Sequence, residues 1–165
     1  MSTKKLTALS MLTAAALIIF IVEAQLPPLA PIPGIKPGLA NVITIIALAR
    51  FGGKEAFTVL MLRIILGNML VGQPIGFMYS AAGGILCFLT MWIMWVPVKI
   101  FKDRIWVVSV FGAISHNIGQ IAAAAIITAA WQVVGYLPIL TVSAVITGLF
   151  TGFTAHFVIK RLGGE

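Results

Sequence analysis

Few residues in this chain could do chemistry, and they fall at four places in an otherwise apolar sequence. The densest place is SHNIGQ, where an imidazole and two carboxamides occupy about one helical turn. His116 and Gln120 are four residues apart, so on a helix they would share one face. With the ionisable residues at the other places, they could hydrogen-bond a ligand and balance its charge. The candidate substrate-binding residues are Glu23, Lys36, Asn41, Arg63, His116, Asn117 and Gln120.

Two interpretations of these residues remain open. Glu23 and Arg63 could form an internal ion pair, or Arg63, with or without Lys36, could offer positive charge to an anionic ligand, because guanidinium suits carboxylate geometry. The SHNIGQ segment could bond a neighbouring helix or contact a ligand. An ionisable residue inside a membrane span costs about 2.5 to 3.5 kcal/mol on insertion scales, so we expect these residues to be paired or to bind something.

Several kinds of catalysis are excluded by residues that the chain lacks. It has one Asp and three Glu, in different regions, so neither a magnesium-diphosphate motif nor a glycosidase carboxylate pair can be assembled. The turn at residues 52–54 lacks the first glycine and the hydroxyl residue of a phosphate loop. A single Cys excludes a disulfide scaffold and a Cys-based metal cluster. We therefore expect no enzyme, no metal site and no covalently bound cofactor.

The composition indicates a membrane protein. Of 165 residues, 61% are hydrophobic and 9% are charged, whereas soluble domains carry about 25% charged residues. The net charge of +7 could suggest nucleic acid as a partner. The basic residues lie between apolar runs, however, so we expect a lipid membrane and no nucleic acid.

Charged residues and Pro/Gly clusters divide the chain into six apolar segments that predict transmembrane helices. No internal repeat and no soluble domain is visible, so residues 1–165 are predicted to form a single integral membrane domain, an all-α six-helix transmembrane bundle. The second and third segments are short for a full crossing. The predicted helices cover residues 6–26, 38–50, 55–71, 76–96, 105–131 and 137–158.

The distribution of Lys and Arg predicts the orientation. With six crossings, one side carries nine of these residues and the other side carries only Lys36, while Arg63 lies within a helix. Cytoplasmic loops are enriched in Lys and Arg. We therefore predict a multi-pass cell-membrane protein with both termini in the cytoplasm.

The connection between helices 1 and 2 is LPPLAPIPGIKP, which has five prolines and a single charge. Proline restricts the backbone, so this outer loop is predicted to be stiff and apolar. It could be a lid over an outward cavity or a linker resting on lipid headgroups, and its apolar character favours the lid. Elsewhere, Gly148 and Gly152 form a GxxxG pair typical of helix packing, and Ser10 and Ala14 have the same spacing in the first helix.

Four ordered motifs carry a resemblance to a known family: GIKPGLANVI, RIILGNMLVG, YSAAGG followed by a Met at 91, and GAISHNIGQ. Over nearly the whole chain they resemble the Gx transporter family, also labelled heptaprenyl diphosphate synthase component I. That family is similar in architecture to the substrate-binding S components of energy-coupling factor (ECF) transporters. The resemblance implies a six-helix protein that captures a scarce micronutrient or precursor from outside. Its partners would be an ECF transmembrane coupling subunit and two ATPase subunits.

The resemblance also implies where the sites lie. The outer helix ends and the lid would form the pocket, with the seven candidate residues as its contacts. S components carry an AxxxA docking motif in the first helix; here Leu12 stands four residues after Ala8, so Ser10 and Ala14 are the nearest substitute.

The ligand and the function class stay open. The apolar lid and the few charges suggest a small amphipathic ligand, such as a quinone precursor, an isoprenoid or haem, the last only as a transported ligand. The alternatives are a noncatalytic membrane subunit of a heptaprenyl diphosphate synthase and a structural membrane anchor.

Overall fold

The structure, a computed structural model, describes residues 3–26, 35–98 and 104–161. Within these ranges the chain forms six α-helices and one 3-10 helix, and no strand, which confirms the all-α class. Each predicted segment corresponds to one helix. The elements are α1 (Thr3–Glu23), α2 (Asn41–Phe51), α3 (Gly53–Val71), α4 (Pro74–Val98), α5 (Ile105–Thr128), the 3-10 helix (Trp131–Tyr136) and α6 (Leu137–Arg161). Most of the proline-rich connection, residues 27–34, lies outside the described ranges, so its assignment as a lid stays a prediction.

Glycine and proline set the helix ends. The α3 helix ends at Gly72, which adopts a left-handed φ of 69° and donates its N–H to the Asn68 carbonyl at 2.9 Å. Pro74 then begins α4, where its missing N–H costs nothing. The predicted fifth segment extended to residue 131, but α5 ends at Thr128 because Ala129 turns to a left-handed φ of 51°.

Helix α2 is short and buried on all sides. Every residue from Asn41 to Leu48 is buried, and α2 packs against each of the other five α-helices. Its 11 residues rise about 16 Å, roughly half of a bilayer's hydrocarbon core. A helix surrounded by protein needs no polar face, which explains the continuous apolar sequence VITIIAL.

The remaining helices pack in a consistent up-and-down arrangement. The Lys5–Glu55 ion pair joins the start of α1 to the start of α3, so these two helices are parallel. Helices α3 and α4, α4 and α5, and α5 and α6 are antiparallel neighbours, as shown for the last pair by the 2.8 Å hydrogen bond between the Ser109 and Thr151 hydroxyls. The described basic residues other than Lys36 and Arg63 therefore gather at one end of the bundle, which we call the basic end: Lys4, Lys5, Arg50, Lys54, Arg104, Lys160 and Arg161.

Small residues bring α5 close to its neighbours. A Cβ atom added to Gly148 would lie 2.6 Å from the Cα of Val110, and one on Gly152 would lie 2.6 Å from the Cα of Trp106. The GxxxG pair is thus a packing surface, as predicted. Gly112 lies four residues before His116, and the Met91 side chain fills the space beside it, because a Cβ there would lie 2.5 Å from the Met91 Cε.

The outer surface is suited to lipid. Large apolar side chains recur at helical spacing along α6 and are more than half exposed, for example Ile139, Ile146 and Phe150. In the part of the chain that the structure describes, four helices are long and apolar enough to cross a membrane: Thr3–Glu23, Pro74–Trp95, Ile105–Thr128 and Trp131–Arg161. These features identify a membrane protein, while six crossings and cytoplasmic termini stay predictions.

Candidate functional site

A small cavity lies between α1, α3, α4, α5 and the loop before α2, in the half of the bundle remote from the basic end. Its volume is about 10 Å³, room for about one water molecule. Five of the seven candidate residues line it. The full lining is Phe20, Glu23, Lys36, Gly38, Arg63, Ser80, His116 and Gln120.

Glu23, the last residue of α1, is 3% exposed and is held by the backbone of the loop before α2. Its Oε1 accepts hydrogen bonds from the N–H groups of Gly38 and Leu39, the latter at 2.9 Å. Gly38 has a φ of 82°, and successive N–H groups beside a left-handed residue form a concave anion site. Glu23 thereby ties the end of α1 to the chain just before α2, on the two sides of the proline-rich connection.

Arg63, in the middle of α3, is 3% exposed. Among the described residues it forms no ion pair with Glu23, and its Nε is buried without a hydrogen-bond partner. Of the two interpretations open at the level of sequence, the internal ion pair is therefore not formed in this structure. The guanidinium lines the cavity instead.

Lys36 supplies a second positive charge from the loop before α2. Its Nζ lies 3.6 Å from the centroid of the Phe20 ring, a cation–π contact, and has no hydrogen-bond partner. Burial lowers the pKa of Lys36 to about 8, and the Glu23 carboxylate opposes this shift. The side chain is therefore mostly charged at pH 7. Phe20 packs against Gly67, where a Cβ would lie 2.6 Å from the ring Cδ1.

His116 and Gln120 line the cavity from α5, and both are almost fully buried, at 3% and 0% exposed. The His116 Nδ1 and both terminal atoms of Gln120 lack hydrogen-bond partners. The glycines of the YSAAGG motif make room for this wall. A Cβ on Gly83 would lie 2.8 Å from the Gln120 Cγ, and one on Gly84 would lie 2.9 Å from Ile64 of α3.

The sequence analysis did not anticipate Ser80, which lines the cavity from α4. It belongs to the same YSAAGG motif, three residues before Gly83, so that the two residues lie about one helical turn apart. A serine placed beside small residues in an apolar helix was the available signal.

The two candidate asparagines lie outside the cavity lining. Asn41 begins α2 with both side-chain polar atoms buried and unpartnered, and its Nδ2 lies against Gly38. Asn117 donates its Nδ2 to the Leu140 carbonyl at 2.7 Å, which joins α5 to α6. Asn117 thus has a hydrogen bond of its own between helices, and its assignment as a ligand contact stays a prediction.

Unpartnered buried polar atoms concentrate at this site. Nine such side-chain atoms occur among the described residues, and five of them belong to residues that line the cavity. In folded proteins the large majority of buried polar atoms are hydrogen-bonded, and each unpartnered group costs about 1 to 3 kcal/mol. This concentration is the property expected of a site whose hydrogen-bond partner is a ligand or a bound water.

Comparison with known proteins adds a family. Residues 12–158 match the family model described as heptaprenyl diphosphate synthase component I. The chain belongs to this family. No curated protein and no solved structure matches it. The family match includes every residue that lines the cavity.

The predicted docking residues lie at the edge of the family match. Ser10 precedes residue 12, and Ala14 follows it. Both are exposed on α1, beside exposed Met11 and Ile18. The structure thus leaves this face of α1 uncovered by other described residues, and its use in docking a partner stays a prediction.

Proposed function

We propose that this chain is a substrate-binding membrane component, an S component, of an ECF-type importer. The observation that carries the proposal is the set of buried, unpartnered polar atoms around one cavity. With the basic end on the cytoplasmic side, as the positive-inside rule predicts, the cavity lies in the outer half of the bundle. A receptor that captures a solute from outside needs its site there.

Capture of a ligand larger than one water molecule requires the site to open. The lining comes from two bodies. Phe20 and Glu23 lie at the end of α1, and Lys36 and Gly38 lie at the end of the proline-rich connection or just after it, whereas the other residues belong to the packed helices α3, α4 and α5. Displacement of the first body relative to the second would admit a ligand. Whether the ligand is a quinone precursor, an isoprenoid or haem, the residues around the cavity would hold its anionic end.

Transport in this proposal depends on partners, because the sequence has no phosphate loop. A transmembrane coupling subunit and two ATPase subunits would supply the energy. The exposed face of α1 around Ser10 and Ala14 is the proposed contact with the coupling subunit, since small side chains permit close approach of helices.

Co-purification from native membranes tests this function. The tagged full chain should retain a transmembrane coupling protein and ATPases, and Ala14→Trp should release them. Val142→Trp places the same bulk on an exposed position of α6 and serves as the matched control, which should retain the partners. Absence of ATPases from the wild-type preparation would contradict the importer.

A second candidate function follows from the family description. The chain could be a noncatalytic membrane subunit of a heptaprenyl diphosphate synthase. In that case the same preparation would retain a prenyl diphosphate synthase and no ATPase. A structural membrane anchor predicts instead that the cavity residues can be made apolar without loss of function. A structural anchor does not account for the five unpartnered polar atoms around one cavity.

A further inference from the structure

The charges around the cavity do not balance. Two cations, Lys36 and Arg63, face one carboxylate, that of Glu23. Arginine is charged at all physiological pH values, and Lys36 is mostly charged at pH 7. The described lining therefore carries one excess positive charge in a buried setting, where an unpaired charge is costly.

The carboxylate also has hydrogen-bond partners other than the cations. The Glu23 Oε1 is occupied by the backbone N–H groups of Gly38 and Leu39, and Glu23 forms no ion pair with Arg63 within the described ranges. The Lys36 Nζ and the Arg63 Nε are left without hydrogen-bond partners. A second anionic group would therefore balance the net charge of the site and accept hydrogen bonds from these donors.

The wall that α5 contributes is neutral and can both donate and accept hydrogen bonds. The Gln120 carboxamide is fully buried with its oxygen and its nitrogen unpartnered, and the His116 Nδ1 is also unpartnered. The free nitrogen of this carboxamide can donate a hydrogen bond and its free oxygen can accept one, so it suits a ligand that has an acceptor next to a donor. A ligand that satisfies the whole lining is anionic at one side and polar but uncharged at the other.

We propose that the cavity selects a monoanion, a small carboxylate whose charged group lies against Lys36 and Arg63 and whose neighbouring polar edge meets Gln120 and His116. This substrate class rests on the proposed function as a solute receptor. Glu23 is then a positioning residue that holds the loop before α2 in place. A neutral ligand of the same shape leaves the excess charge unbalanced, so the site discriminates by charge.

Formate, the smallest carboxylate, and formamide provide a test, because they have nearly the same shape and differ in charge. The thermal midpoint of the detergent-purified full chain would be followed by tryptophan fluorescence as each probe is titrated. Sodium gluconate, an anion too large for the cavity, would be exchanged for sodium formate so that ionic strength stays constant. We expect the midpoint to rise with formate and to stay unchanged with formamide.

Variants locate the effect within the molecule. Lys36→Met and Arg63→Met should each weaken the apparent formate affinity about tenfold or more, the factor expected for loss of one charge-assisted hydrogen bond. Lys54→Met removes the same charge from an exposed position of α3 and should respond as the wild type does. Two charge variants are used so that the test can still be made if one of them does not fold.

The outcomes separate this proposal from the proposed function. Equal stabilisation by formate and formamide, no stabilisation by formate, or equal loss in Lys54→Met would each overturn the monoanion proposal. None of these results depends on whether ATPases co-purify with the chain. Conversely, if formate stabilises the chain but no ATPase co-purifies with it, the anion site is supported and the importer is contradicted.

Discussion

Replacement of Arg63 by methionine should stabilise the ligand-free protein, which is the reverse of the usual effect of a buried substitution. Arg63 is 3% exposed, its Nε has no hydrogen-bond partner, and within the described ranges it forms no ion pair with Glu23. Methionine keeps much of the unbranched length of the side chain and removes the charge. The substitution therefore removes a desolvation cost without removing a hydrogen bond at Nε.

The size of the effect follows from the position of the residue. Arginine at a helix centre costs about 2.5 to 3.5 kcal/mol on insertion scales, and the remaining attraction to Glu23 offsets part of this cost. A net gain of about 2 kcal/mol is expected. For a chain of this length, each kcal/mol shifts the thermal midpoint by about 2 to 4 °C, so Arg63→Met should raise it by about 4 to 8 °C.

Glu23→Gln should act in the opposite direction. Its carboxylate accepts two backbone hydrogen bonds, and such bonds are about twice as strong when the acceptor is ionised. The substitution also leaves Lys36 and Arg63 without a negative charge nearby. A loss of about 2 kcal/mol is expected, which lowers the midpoint by about 4 to 8 °C.

Thermal midpoints of the two variants and the wild type, measured by tryptophan fluorescence in one detergent without added ligand, decide between the models. If Arg63 and Glu23 formed a buried ion pair, removal of either partner would cost about 3 to 5 kcal/mol and both midpoints would fall together. A common fall of that kind would refute the reasoning. Shifts of opposite sign would support it.

Three further predictions concern packing, the interhelical hydrogen bond and topology. Gly119→Val should lower stability by about 2 kcal/mol or more, because a Cβ there would lie 2.7 Å from a carbonyl oxygen of α4, whereas Gly135→Val, with nothing within 4 Å, should melt as the wild type does. Asn117→Leu should cost about 1 kcal/mol through loss of its bond to Leu140 and leave ligand affinity unchanged; a loss of affinity at unchanged stability would place Asn117 in the site instead. Cysteines introduced at Lys54 and Gly135 should react with membrane-impermeant reagents from opposite sides of the membrane. The native Cys87 is buried and should give little background reaction. Reaction of both introduced cysteines from the same side would contradict the bundle topology.

The helices could be predicted from the sequence because the interruptions between them are chemically distinct. Charged residues, Gly52 and Pro74 mark breaks that apolar residues cannot supply, so six segments were found with their approximate limits. The end of α5 was missed because residues 129–131 are as apolar as the helix, and only the backbone angle of Ala129 records the change. Hydropathy does not report that angle.

The candidate site was predictable in part. Buried charge identified Glu23 and Arg63, but the partner of Glu23 is backbone, and a pair of N–H groups has no side-chain signature apart from the glycine beside it. His116 and Asn117 are adjacent in sequence and therefore about 100° apart around the helix, so one faces the cavity and the other faces α6. The helical period distinguishes them, whereas their proximity in sequence does not.

Mass spectrometry of the small molecules retained by the purified protein tests the central claim most directly. The wild-type chain and Arg63→Met would be purified in parallel from the same host, and the compounds released by denaturation would be compared. The account predicts an anionic compound that is present with the wild type and depleted with Arg63→Met, although the variant is folded. Identical profiles from the two proteins would contradict the claim that this cavity binds a ligand through Arg63.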